Sequence, residues 1–214
     1  MAELAPCITV QTAEDYALSI QRLEPFATRV HIDISDDQFA PNPLMAPDSM
    51  TWPDSWTVDI HAMVSHPSQY IETLVTLKPN LVIFHAEAEE DLTPSIQSLK
   101  QMGIKAGIAL LRTTVPKNAK NYIEIVDHVL IFSGDLGKYG GTANMMQLEK
   151  VGLIRAIKPN VEIGWDGGAS LDNVFSLAQG GINVINSGGA INEAANPGDM
   201  YNRMVAEANK RGVI

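Results

Sequence analysis

The chain of 214 residues carries a single cysteine, Cys7. No disulfide can therefore form within it, and a lone thiol fits a reducing compartment. No uninterrupted apolar run is long enough to cross a bilayer, and no basic segment followed by an apolar stretch opens the chain as a secretion signal does. Basic residues are scarce: 15 Lys and Arg stand against 25 Asp and Glu, a formal net charge of -10. Such a balance argues against nucleic acid, whose phosphate backbone is held by basic surfaces. Together these absences predict a cytoplasmic protein with no membrane or nucleic-acid partner. A small anion is still compatible with the negative charge, because backbone N–H groups can hold one locally.

With 45% hydrophobic and 19% charged residues, the composition is that of a folded chain with a substantial core, and the length fits one domain over 1–214. Short apolar runs recur, each followed by a turn and a stretch at helical spacing. The predicted strands are Pro6–Val10, Arg29–Ile34, Thr57–Met63, Leu81–His85, Lys105–Leu110, His128–Phe132, Val161–Trp165 and Asn183–Asn186. Helices are predicted at Glu14–Leu23, Pro67–Lys78, Leu92–Met102, Met145–Lys158, Leu171–Gln179 and Pro197–Lys210, with a shorter one at Lys117–Glu124. The proline-rich segment Pro41–Trp56 leaves room for a brief helix at most. Alternating β and α elements with nearly continuous apolar strands imply a parallel sheet covered by helices. Eight such strands in this length suggest an α/β fold of the (β/α)8 TIM-barrel type. The glycine fingerprint of dinucleotide-binding sheets is missing after the first strand, which counts against that fold.

Function in such a barrel is expected where the strands run out at their C-terminal ends. The second strand carries His31-Ile32-Asp33, the third Asp59-Ile60-His61, the fourth ends at His85, and the seventh leads into Asp166-Gly167-Gly168. Residues two apart in a strand share a face, so His31 with Asp33, and Asp59 with His61, can both point into the barrel. Burying such groups is costly unless they pair or bind a metal. Two histidines with two aspartates suit a divalent transition ion: Zn, Fe, Mn or Co. His85 either touches the substrate or supports a neighbour from behind, whereas His66 and His128 read as structural. Met63 and Phe39 are either pocket wall or ordinary core.

Three glycine-rich turns follow the last three strands: Gly140-Gly141-Thr142, Gly167-Gly168 and Gly188-Gly189. Glycine lets backbone N–H groups approach an anion with no Cβ in the way. Loops after the seventh and eighth strands are the usual phosphate site of this barrel.

The segments His31-Ile-Asp33-Ile-Ser-Asp36-Asp-Gln-Phe39-Ala-Pro41-Asn42, Asp59-Ile-His61-Ala-Met63, Trp165-Asp166-Gly167-Gly168 and Ser187-Gly188-Gly189-Ala190 resemble the ribulose-phosphate 3-epimerase family over nearly the whole length. The resemblance implies a ribulose-phosphate-binding barrel and one divalent metal held by His31, Asp33, His61 and Asp166. It makes Asp33 and Asp166 the paired acid and base. It also implies a sugar phosphate held by Cys7 (where the family has a serine), His61, Gly140, Gly141, Thr142, Gly167, Gly168, Gly188 and Gly189, in a homo-oligomer. The implied reaction inverts C3 of a ketose phosphate, D-ribulose 5-phosphate to D-xylulose 5-phosphate.

Several positions depart from the family pattern. Ser35-Asp36-Asp37-Gln38 stands where Met-Asp-Gly-His is common, Phe132 replaces a methionine, Gly189 replaces a serine, and the loop Gly134–Gly141 is one residue longer. None removes a proposed ligand or base, and they bear on the sugar more than on the reaction. Alternatives left open are a six-carbon ketose phosphate such as allulose 6-phosphate, and a catalytically degenerate phosphate-binding barrel. Related decarboxylases and aldolases carry Asp-x-Lys-x-x-Asp at the second strand. Asp33-Ile-Ser35-Asp36-Asp37 has no such lysine.

Overall fold

The computed structural model describes residues 1–137 and 140–211. Its eight strands, β1 (Glu3–Ile8), β2 (Arg29–Ser35), β3 (Thr57–Met63), β4 (Leu81–His85), β5 (Lys105–Leu110), β6 (His128–Phe132), β7 (Glu162–Asp166) and β8 (Val184–Ser187), form a closed parallel barrel in chain order. The ring closes where β8 pairs with β1, from Glu3 beside Val184 to Pro6 beside Ser187. Helices α1 (Ala13–Leu23), α2 (Ile71–Leu77), α3 (Thr93–Gln101), α4 (Lys120–Ile125), α5 (Glu149–Ile157), α6 (Val174–Gln179), α7 (Gly189–Asn192) and α8 (Pro197–Ala208) complete the (β/α)8 pattern. No helix among the described residues is long and apolar enough to cross a membrane. The lengthened loop Gly134–Gly141 lies partly outside the described residues, at 138 and 139.

Alternation along each strand divides the apolar residues into two cores. Outward positions such as Val30, Ile32, Ile34, Val58, Ile60, Val82 and Phe84 join the large cluster under the helices. Inward Leu81, Ile83, Ala109 and Leu130 make a small separate cluster inside the barrel. That inner cluster covers one side only, so the rest of the interior is available for polar residues.

Strands β3 to β6 begin and end as the sequence predicts, and the others shift. β1 starts at Glu3, before Pro6, because the missing proline N–H falls where β1 hands its pairing from β8 to β2. Asp166 lies in β7, paired beside Phe132, rather than after the strand. Three predicted helices open as 3-10 turns, at Pro67–Tyr70, Pro116–Ala119 and Met145–Leu148, a common way to tighten a helix entry. The predicted helix from Leu171 starts only at Val174, because Asn173 folds its side chain back: Nδ2 donates to Gly168 O (2.9 Å) and Oδ1 accepts from Ser170 N (2.9 Å). The short α7 escaped the sequence analysis, its glycines having been read as a turn.

The lower end of the barrel is closed by charge. Arg29, 5% exposed, donates from Nε to Asp59 (2.6 Å), from Nη1 to Glu3 (2.8 Å) and from Nη2 to Glu162 (2.9 Å). Asn80 Nδ2 donates to the other Asp59 oxygen at 2.8 Å, and His128 Nδ1 meets Glu162 at 2.7 Å. Gly164 makes room for that histidine, since a Cβ there would run into His128 Nε2. Asp59 therefore belongs to this floor and not to the catalytic end, a correction to its grouping with His61 as a strand-end residue. Breaking a buried pair strands the remaining charge, so Asp59→Asn should cost about 3–5 kcal/mol in denaturant unfolding. Burial pushes the Glu162 carboxyl up, but His128 and Arg29 outweigh it and hold it well below the ordinary carboxylate range. A lowered folded value means stability that is complete above an unfolded pKa of about 4.3 and is lost as pH falls through the folded one. Glu162→Gln should thus be destabilising at neutral pH, with the gap to the native chain closing progressively in acid melts.

Candidate active site

β2 and β3 run side by side with Asp33 level with His61, and β7 brings Asp166 to the same height. His31 Nε2 lies 3.1 Å and His61 Nδ1 2.9 Å from the same oxygen, Oδ1 of Asp33. His61 Nδ1 is also 3.8 Å from Asp166 Oδ2. One donor atom from each of these four residues lies within 4.8 Å of all the others. Both histidines are fully buried and Asp33 nearly so.

This set fits a divalent ion. Two imidazole nitrogens and two carboxylate oxygens converge on one point, the mixed N/O donor set of mid-row transition metals. One carboxylate oxygen faces two imidazoles at once, and His31 Nδ1 has no hydrogen-bond partner although buried.

The two carboxyls are driven apart. Burial raises both, but at Asp33 the neighbouring His31 prevails and holds it well below the usual range. At Asp166 burial, reinforced by the Asp33 charge, keeps the pKa raised. The two carboxyls are thus pushed in opposite directions, the pattern that separates a base from an acid. His31 is raised despite its burial, through Asp33. Burial, with Asp166 and Asp33 close by, pushes the Cys7 thiol up, so it stays protonated.

Above the cluster opens a cavity of about 770 Å³ at the C-terminal ends of the strands. Asp33 and Asp166 form its floor, and Cys7, Ser35, Met63 and Phe132 line it. Gly140, Gly141, Gly167, Gly168, Gly188 and Gly189 all border it, which brings the three glycine turns to one mouth. Thr142 and His61 are not among its lining residues; Thr142 is exposed beside it, and His61 lies beneath Asp33. Gly167 and Gly168 have φ of +104° and +72°. A Cβ on either would strike backbone of the preceding loop, at Gly134 N and Ala143 N respectively. Glycine is required here for two loops to touch. Trp165 Nε1 ties the turn down by donating to Gly167 O at 3.0 Å.

His85 stands behind His61, with Nε2 to Nε2 at 2.9 Å, wedged between the rings of Phe39 and Phe132. Neither His85 nor Phe39 lines the cavity, whereas Met63 does. Three residues went unnoticed in the sequence. Thr9 donates from Oγ1 to Asp33 Oδ2 at 2.5 Å; its spacing of two from Cys7 was the available signal. Asn186 lines the cavity with a buried, unpartnered Oδ1, marked only by being polar after Val184-Ile185. Glu87 reaches His85 at 3.3 Å.

Solved structures share the fold of the barrel. 3-Hexulose-6-phosphate synthase from Salmonella typhimurium superposes with a TM-score of 0.69 at 14% identity, covering 96% of this chain and 98% of its own. Orotidine 5'-phosphate decarboxylase from Pyrococcus horikoshii superposes at 0.67 and 14%, covering 97% and 100%. At such identity the likeness is one of fold alone. Sequence comparison goes further. A protein named ribulose-phosphate 3-epimerase from Helicobacter pylori is 32% identical over 169 residues, 76% of this chain and 78% of that one. The cytoplasmic isoform named ribulose-phosphate 3-epimerase from Oryza sativa is 30% identical over 212 residues, 95% and 92%. Residues 3–192 match the profile of the ribulose-phosphate 3 epimerase family. The chain is an isomerase of that kind and belongs to the ribulose-phosphate 3 epimerase family.

Proposed function

We propose that the protein inverts C3 of a ketose phosphate, interconverting D-ribulose 5-phosphate and D-xylulose 5-phosphate, with Asp33 and Asp166 as the acid–base pair. The observation that carries this reading is the pair itself: two carboxyls side by side on the floor of one cavity, their pKa values pushed in opposite directions. Inverting a carbon beside a ketone removes a proton from one face and returns one to the other. Two carboxyls facing the same carbon suffice, and they exchange roles with the direction of turnover. Thr9 holds Asp33 by its second oxygen, which leaves Oδ1 toward the histidines and limits rotation of the carboxylate.

His31, Asp33, His61 and Asp166 are the residues that would hold a divalent ion (Zn, Fe, Mn or Co). When bound, such an ion supplies Lewis-acid stabilisation of the negative charge that develops on the ketose oxygens. The phosphate is assigned to the backbone of Gly140, Gly141, Gly167, Gly168, Gly188 and Gly189, with Thr142 at the outer edge. Backbone donors explain how a chain of net charge -10 accepts an anion. At the sugar end, Cys7 supplies a neutral thiol and Asn186 a free carbonyl oxygen able to accept from a hydroxyl.

Proton NMR of ribulose 5-phosphate in deuterated buffer tests the pair. Asp33→Asn and Asp166→Asn should each slow loss of the C3 hydrogen by about 10²–10⁴-fold, with the circular dichroism of the barrel unchanged. Exchange at the native rate in both variants would remove them from the chemistry. Dialysis against a chelator should lower turnover, and Zn, Mn, Co or Fe should restore it; full activity after complete metal removal contradicts the metal assignment. Gly168→Ala puts a side chain onto Ala143 N at positive φ. It should raise KM for the sugar phosphate and lower stability by about 1–3 kcal/mol.

A further inference from the structure

A chain of hydrogen bonds leads away from the four-residue cluster on the side opposite the cavity. It runs from His61 Nε2 to His85 Nε2 (2.9 Å), and from His85 Nδ1 to Glu87 Oε2 (3.3 Å). Glu87 Oε1 in turn accepts from Leu111 N at 3.0 Å, and the Thr114 hydroxyl donates to the same carboxylate. His85 is fully buried, with ring centroids 4.7 Å from Phe39 and 5.5 Å from Phe132. No water competes for its nitrogens, and its ring has no room to turn.

The protons along this chain can be assigned from one end. Burial raises the Glu87 carboxyl, but hydrogen bonds from His85 and Thr114 outweigh it and hold it below its ordinary value. An ionised carboxylate only accepts, so His85 Nδ1 must carry a hydrogen. His85 is fully buried between the rings of Phe39 and Phe132, where a second hydrogen and its positive charge would go unsolvated, so the ring is neutral and has that one hydrogen. Its Nε2 is then a lone pair. The hydrogen between the two Nε2 atoms must belong to His61, and a His61 ring that carries its one hydrogen there presents a lone pair on Nδ1. That lone pair faces Asp33 Oδ1 at 2.9 Å. Two lone pairs at this distance repel, and a cation between them converts the repulsion into coordination.

We propose that His85 and Glu87 are positioning residues, a relay whose carboxylate end sets the tautomer of His61 so that Nδ1 presents its lone pair to the divalent ion. The inference rests on the reading of His31, Asp33, His61 and Asp166 as a metal site, and it assigns the residues that prepare one of the ligands. Partners of this kind hold a ligating imidazole in orientation and tautomer, and their loss typically weakens metal binding by about 10–100-fold.

Zinc titration and ¹⁵N-histidine NMR on the full chain test the relay. In the zinc-loaded native protein, long-range ¹H–¹⁵N correlations should show hydrogen on Nε2 of His61 and on Nδ1 of His85. The opposite tautomer at either ring overturns the relay without recourse to any variant. In Glu87→Gln, the amide oxygen keeps the Leu111 N–H and the amide nitrogen turns toward His85 Nδ1, reversing both rings. Zinc affinity should then fall about 10–100-fold, with the tautomer signals of His61 and His85 exchanged. A merely structural loss would weaken binding but leave the tautomers as they were, and would count against the proposal. Native zinc affinity and native spectra in Glu87→Gln overturn the relay alone. A native protein that binds no zinc overturns the metal reading, and the relay with it.

Discussion

The whole upper half of the molecule answers to the cost of burying two histidines and two aspartates inside a barrel. Placing uncompensated charge in such an interior is prohibitive, so each end of the barrel needs its own solution. At the lower end the solution is internal: Arg29 is placed among Glu3, Asp59 and Glu162, and the charges cancel within the protein. At the upper end His31, Asp33, His61 and Asp166 converge with no arginine or lysine among them. One carboxylate oxygen faces two imidazoles, and a buried nitrogen of His31 is unpartnered. The floor, with Arg29 among its carboxylates, is neutralised from within. The upper cluster is open to a cation below and a cavity above, as a working site must be.

The surrounding elements can be understood as supports for that cluster. Thr9 fixes one oxygen of Asp33. Phe39 and Phe132 clamp His85, and His85 meets the rear nitrogen of His61. The glycine turns bring three loops together at the mouth of the cavity. The same barrel serves synthases and decarboxylases at 14% identity, so the fold does not decide the chemistry. The second strand is where they part, with Ser35 at the place where the decarboxylase pattern would require a lysine.

Much of this was legible in the sequence because strand period and apolar runs are strong signals. β3, β4, β5 and β6 span the runs predicted for them. Period two places His31, Asp33, Asp59 and His61 on the inner face, but it gives face and not height. Asp59 lies two residues below His61, about 7 Å lower at the usual rise per residue, and that step takes it from the active site to the Arg29 floor. β1 was read as starting at Pro6, since a lone sequence cannot show that the missing N–H falls at a change of pairing partner. Glu87 and Asn186 were invisible for a related reason. Their meaning comes from which neighbours three-dimensional packing gives them, and no local pattern encodes that.

The departures at Cys7, Ser35 and Phe132 are gathered around the cavity and leave the cluster beneath untouched. The chemistry is therefore concentrated in one place, and one measurement addresses it most directly: anomalous diffraction from crystals grown with zinc or manganese. The account predicts a single strong peak at about 2.0–2.2 Å from His31 Nε2, Asp33, His61 Nδ1 and Asp166. A peak elsewhere, or crystals with no ion at that point under saturating metal, would contradict it.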